Sequence, residues 1–276
     1  MDKLKFLSQL SDGDEKILFS NIFDKIKKSA YSSYPLFTSF LTPSEQKRLD
    51  ERKRIAEKVN FISFGGYKNA ERKMYAFSTD ENIDFNVFPV DKIKISTKDK
   101  KVFDHRAYLG SVLSLGIKRE KIGDIVIMDE FAIIFCVNDI TEFLLYNLNK
   151  ISNSFVDCEI YYEEVEIDDE KRFKEVFKTV SSLRLDCVVS AFCDKSRSVS
   201  DSFINEGLVS LNYEVTKNNS LKISNGDILS VRGFGKAQIQ TDFPLSKKGK
   251  NRILIKYYIW GDSNAFSAWY WKQKIC

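Results

Sequence analysis

The side chains best suited to chemistry lie between Leu183 and Gly235, and the chemistry they suit is the capture of anions. Arg184 stands at the head of L-D-C-V-V-S-A-F-C, and Lys195, Ser196, Arg197 and Ser198 stand at the head of V-S-D-S-F-I-N. Both runs read as short helices, so these residues gather at two helix starts. Backbone N–H groups at a helix start favour an anion, and the neighbouring cations can reach a phosphate backbone. Ser196 and Ser198 add hydroxyls that can cap the second helix or donate to the same phosphate. Gly207 permits a turn into V-S-L-N-Y, after which G-D-I-L-S-V-R-G returns as a strand carrying Arg232.

Other chemistries find little support. Five cysteines occur, at Cys136, Cys158, Cys187, Cys193 and Cys276, with no C-x-x-C spacing and a single histidine, His105. Zinc needs several thiolate or imidazole ligands at short spacing, so no metal site is expected and the cysteines read as small buried hydrophobes. His105 sits between Asp104 and Arg106 at a helix start, where capping or RNA contact suits it better than base catalysis, since no nucleophile partner is evident. Neither G-x-x-x-x-G-K-[ST] nor a strand-borne G-x-G-x-x-G is present, so no nucleotide cofactor is expected. The acids at Glu159, Glu163, Glu164, Glu166, Asp168, Asp169 and Glu170 read as a strand end and a linker, not as a catalytic carboxylate pair. No catalytic residue is assigned, and a binding protein is expected, not an enzyme.

Charge points the same way. Residues 1–170 hold 25 Lys/Arg against 30 Asp/Glu, whereas residues 171–276 hold 18 against 9. Such asymmetry between halves points to nucleic acid, because a basic surface gains affinity by releasing counterions from phosphates. No apolar run approaches the ~20 residues that span a bilayer, and the first ten residues are too polar for a signal peptide. A cytoplasmic protein that avoids membranes is expected.

The elements that must position these groups form an α+β chain. Ile17, Leu18, Phe19, Ile22, Phe23 and Ile26 make one apolar stripe, and T-P-S-E-Q starts a second helix with Thr42 as N-cap and Pro43 in its first turn. That helix is read on through R-L-D-E-R-K-R-I-A-E-K. From Val59 the pattern turns to strands around the pair Gly65-Gly66. These glycines suit either a close backbone approach to RNA or a turn needing positive φ. From about residue 87 the order is β-α-β-β-α-β, with a tight turn at Asp129-Glu130, a helix ending near Gly116, and a final strand over S-F-V-D-C-E-I-Y-Y. Arg72 and Lys73, with Lys118, Arg119 and Lys121, would make a second basic surface.

The stretch L-R-L-D-C-V-V-S-A-F-C through V-R-G-F-G resembles the S4 RNA-binding module, which reads RNA by shape and phosphate spacing. An Arg-Leu-Asp triplet also occurs in the catalytic motif of pseudouridine synthases. Here Arg184-Leu185-Asp186 lies within the first helix of the module and no catalytic domain follows it. Upstream, F-G-G-Y-K-N-A-E-R-K (64–73) and D-H-R-A-Y-L-G-S-V-L-S-L-G-I-K-R-E-K-I-G-D-I (104–125), with T-V-S-S-L-R-L-D, resemble the bacterial YlmH family over roughly residues 1–236. The resemblance implies a helical N-terminal segment (1–58), an RNA-recognition-motif-like, ferredoxin-like domain (59–166), an S4 module (171–240) and a C-terminal extension (241–276). It also implies association with rRNA of the large ribosomal subunit, with tRNA and with quality-control factors acting on stalled nascent chains. Assembly or regulatory RNA binding, or an RNA-modifying enzyme, are the alternatives. K-K-G-K-N-R-I-L-I-K could supply a basic strand after G-F-G-K, while the three tryptophans beyond it match no family pattern.

Overall fold

The buried stripe Phe19, Ile22, Phe23 and Ile26 defines helix α1 (Gly13–Ser29), as its spacing requires. This computed structural model describes residues 8, 13–51, 58–166 and 173–258, which divide into two units, 1–166 and 167–276. In the first unit, strand β1 (Leu36–Phe37) precedes helix α2 (Pro43–Asp50). Thr42 caps α2 through a reciprocal box: its hydroxyl accepts from Glu45 N–H, and its own N–H donates to Glu45 Oε2 at 2.6 Å. The charged continuation expected beyond α2 falls largely on 52–57, outside the described residues.

Strands β2 (Asn60–Phe64) and β3 (Met74–Ser78) pair antiparallel, with β1 on the far side of β3. Tyr75 and Phe77 of β3 share one core with Phe19, Ile22, Leu41 and Leu49. The expected boundary at residue 58 therefore separates helices from the hairpin that buries them. Apolar burial joins what a change of periodicity had seemed to divide.

The second layer of this unit runs β4 (Val90–Ser96), α3 (His105–Ser114), β5 (Ile122–Ile127), β6 (Phe131–Val137), α4 (Thr141–Asn147), a small hairpin of β7 (Lys150–Ile151) with β8 (Ser154–Phe155), and β9 (Asp157–Ile160). Its sheet has the order β5-β6-β4-β9, antiparallel throughout, consistent with a split-βαβ arrangement. Ile93, Ile95 and Ile134 meet Tyr108, Val112 and Leu144 of the helices on one face. Gly116, at φ +82°, follows the end of α3, and Met128 N–H closes the Asp129-Glu130 turn onto Phe131 C=O at 2.8 Å. The final strand is broken in two. Ser152 at φ 52° folds β8 back on β7, so only 157–160 reach β4.

The second unit contains β10 (Phe173–Val180), α5 (Leu185–Cys193), α6 (Arg197–Asn205), β11 (Val209–Leu211), β12 (Glu214–Val215), β13 (Ile228–Val231), β14 (Gly235–Gln240) and β15 (Asn251–Tyr258). They form one antiparallel sheet in the order β10-β15-β14-β13-β11-β12, with Val188, Phe192 and Ile204 of the helices packed on it. Strand β15 lies between β10 and β14 and buries Ile253, Ile255 and Tyr257 in the core. A module ending at 240 would lose its second strand, so the expected extension 241–276 begins inside the fold. The tryptophans and Cys276 lie outside the described residues. No helix among the described residues is long and apolar enough to cross a membrane.

Candidate nucleic-acid interface

Arg184 and Arg197 converge on one buried carboxylate. Asp186, in the first turn of α5, has a side chain only 3% exposed. It accepts from Arg184 Nε at 3.2 Å and Nη2 at 3.1 Å, from Arg197 Nε at 2.9 Å and Nη2 at 2.5 Å, and from Cys187 N–H at 2.8 Å. Burial alone would raise its pKa, but the hydrogen bonds from the two guanidinium groups and the backbone outweigh it and bring the carboxyl down to about 2. The same hydrogen bonds raise the pKa of both arginines. Their side chains remain 44% and 55% exposed. Each guanidinium has five N–H donors, so both keep donors for an outside anion. Two cations on one carboxylate leave a fixed local charge of one positive unit.

Side chains, more than amides, make this surface. The N–H groups of Leu185 and Asp186 donate to Leu221 C=O at 2.8 Å and Asn219 C=O at 3.2 Å, and Cys187 N–H serves Asp186. The start of α5 is thus pinned by segment 219–223, which also sets Lys222 opposite Arg184 in an isolated β-bridge. These α5 amides are therefore not open to the phosphate expected there. At α6, Ser196 is the N-cap, accepting from Val199 N–H at 3.4 Å, and its hydroxyl lies 3.1 Å from that of Ser198. Lys195 follows the left-handed Asp194 and is held by Ser190 at both backbone atoms. Lys178 pairs with Asp194 at 2.5 Å, bringing a cation from β10 beside this turn. Lys178 and Lys222 carry no sequence signal, since each sits in an ordinary polar context.

Arg232 lies elsewhere. Its N–H donates to Leu208 C=O at 2.8 Å, past the C-terminal end of α6 and so ~13 Å along that nine-residue helix from Arg197.

In the first unit, two of the five expected cations turn inward, and Lys121 ion-pairs with Asp139. Arg72 donates through Nε to Ile122 C=O and through Nη2 to Phe40 C=O, both at 3.0 Å. Arg119 donates to Ile122 C=O at 2.5 Å and Gly123 C=O at 3.3 Å. Burial lowers the pKa of both, Arg119 to about 10 with Arg72 adding repulsion. Charge is visible in a sequence, but a cluster of unpaired carbonyls is not. Lys118 stays exposed and Lys73 half-buried, the latter paired through its backbone with Leu41.

The 64–73 block is held by Asp124, which accepts from Tyr67 Oη–H at 2.8 Å, Glu71 N–H at 2.6 Å and Arg72 N–H at 3.1 Å. Its glycines serve packing. A Cβ on Gly65 would sit 2.4 Å from Ala70 Cβ, and one on Gly66, at φ +97°, would sit 2.2 Å from the Phe135 ring. His105 follows the actual cap, Asp104, whose carboxylate accepts from Ala107 N–H at 2.8 Å. The sequence reading also missed the sheet surface turned away from α3 and α4. There Lys94 Nζ stands 5.1 Å from the Phe131 ring and Lys92 Nζ 5.9 Å from that of Tyr161.

Residues 81–164 match a family model described as "Putative RNA-binding domain in YlmH". The ribosome-associated protein quality control protein P2 of Bacillus subtilis (strain 168) is 33% identical over 232 residues, 79% of this chain and 86% of that protein. A solved structure, the cell division protein YlmH from Streptococcus pneumoniae, is 24% identical, covering 55% of this chain and 94% of its own, with a TM-score of 0.46. One residue in three shared across most of both chains, with the family's domain in the middle, places the relationship beyond a common fold: this chain belongs to the YlmH family of RNA-binding proteins, related to the quality control protein P2.

Proposed function

We propose that this chain binds rRNA of the large ribosomal subunit beside tRNA and serves quality control of stalled nascent chains. The observation that carries the reading is the pair Arg184 and Arg197, oriented by Asp186 at two helix starts of a basic C-terminal unit. Planar guanidinium forks bind phosphate oxygens with defined geometry, which suits recognition of a folded RNA by backbone spacing. Lys195, Ser196, Ser198, Lys178 and Lys222 extend this surface. Lys73 and Lys118 of the first unit offer a second, and Arg232 a separate one. The relative named for ribosome-associated quality control supports the ribosomal setting. Co-sedimentation with large subunits carrying or lacking peptidyl-tRNA tests it. Preference for the tRNA-bearing particle is expected, whereas equal binding to both would favour a role in assembly.

A further inference from the structure

The sheet of the C-terminal unit has a second face, turned away from α5 and α6. Ile253, Ile255 and Tyr257 point into the helical core, so alternation turns Arg252, Lys256 and Tyr258 to the other side. Register sets Phe177 opposite Leu254, Glu175 opposite Lys256, and Phe173 opposite Tyr258, while Gln238 and Gln240 of β14 flank them. Cations and rings alternate across this face. Arg252 lies 5.6 Å from the Phe177 ring, Lys256 Nζ 5.0 Å from that of Phe173, and Lys236 Nζ 4.4 Å from that of Tyr258. Phe243 packs edge-on to Phe177 with centroids 5.2 Å apart, yet Phe177 remains 55% exposed on a strand of the sheet. The connection from β14 to β15 adds exposed Lys247, Lys248 and Lys250; of the acids among the described residues, Glu175 lies on this face, ion-paired with Lys256 at 2.9 Å, and Asp242 lies in the same connection.

We infer that this face binds single-stranded RNA. An exposed ring can stack on a base only where the base has left its own stack, which excludes a duplex. The excess of cations around the rings complements the phosphates between successive bases. The half-exposed amides of Gln238 and Gln240 can exchange hydrogen bonds with ribose hydroxyls or base edges. Because α5 and α6 pack on the opposite face, this surface is independent of the helix-start arginines. The chain can therefore hold a folded RNA on one side and an unpaired segment on the other.

The test is fluorescence anisotropy of the full chain with two probes, a labelled 12-residue oligouridylate and a labelled RNA hairpin. Phe177→Leu keeps an apolar side chain but removes the ring. It is expected to weaken oligouridylate binding about tenfold while hairpin affinity stays within about twofold. Phe177→Trp should retain oligouridylate affinity. Arg184→Gln/Asp186→Asn/Arg197→Gln, which strands no buried carboxylate, should weaken the hairpin and spare the oligouridylate, so failure of that arm would count against the helix-start reading and not against this one. The inference is overturned if wild type does not bind oligouridylate at low salt, or if folded Phe177→Leu binds it as wild type does. It is equally overturned if binding appears only after removal of residues 259–276, or if Phe177→Leu dissolves a dimer of this chain.

Discussion

At the scale of single residues, the account turns on Asp186. Removing its charge makes the surface more positive, so electrostatics alone predicts that Asp186→Asn binds RNA more tightly. A carboxylate that orients Arg184 and Arg197 predicts the reverse, a loss of about tenfold, because the guanidinium groups lose their fixed geometry. Titration of the variant against a structured rRNA fragment separates the two by sign. Asp186→Asn should also lower stability by ~1–3 kcal/mol in urea unfolding, since two charge-assisted pairs are lost. The pH dependence follows from the depressed pKa. The stabilisation is fully present above the unfolded-state value near 4, and it declines as pH falls toward the folded value of about 2. The difference between wild type and Asp186→Asn should therefore shrink across that window. The arginines were legible in the sequence as cations at helix starts. Asp186 was not, because its second partner lies eleven residues away across the left-handed turn at Asp194, and its triplet was weighed only as a catalytic motif and set aside.

At the scale of elements, the first unit depends on tethers between loops and strands. Asp124→Ala would leave Tyr67 Oη and the N–H groups of Glu71 and Arg72 without their acceptor, beside two inward arginines. A loss of ~3 kcal/mol or more and new protease sensitivity between residues 65 and 73 are expected, without change in the C-terminal unit. Thr42→Ala removes one side of the capping box and should cost ~1 kcal/mol, measured by thermal unfolding. The β-α-β-β-α-β order was readable because Ile93, Ile95 and their neighbours alternate with polar residues, and α1 because its stripe has the helical period. The place of β15 was not readable. R-I-L-I-K-Y-Y has the pattern of any half-buried strand, and nothing local tells that it pairs with a strand some eighty residues earlier. The inward turn of Arg72 and Arg119 was hidden for a related reason: the carbonyls they satisfy come from Phe40, Ile122 and Gly123, which are brought together only by folding.

At the scale of the whole molecule, the charge division read from the sequence coincides with the division into units. Residues 173–258 alone hold 14 Lys/Arg against 8 Asp/Glu. Affinity for large-subunit RNA should fall about a hundredfold between 50 and 200 mM salt if some four to five phosphates are neutralised, and a flat response would deny them a leading role. In the proposed function the helix-start arginines bind ribosomal RNA. Truncating them alone would strand a buried carboxylate and confuse lost binding with lost folding. The cleaner variant is Arg184→Gln/Asp186→Asn/Arg197→Gln, which keeps polar side chains of similar size and lowers net charge by one unit. Co-sedimentation of the full chain with large ribosomal subunits is the measurement that decides. The folded triple variant is expected to stay in the supernatant at a salt concentration where wild type pellets with the subunits. A folded triple variant that pellets as wild type does would contradict it.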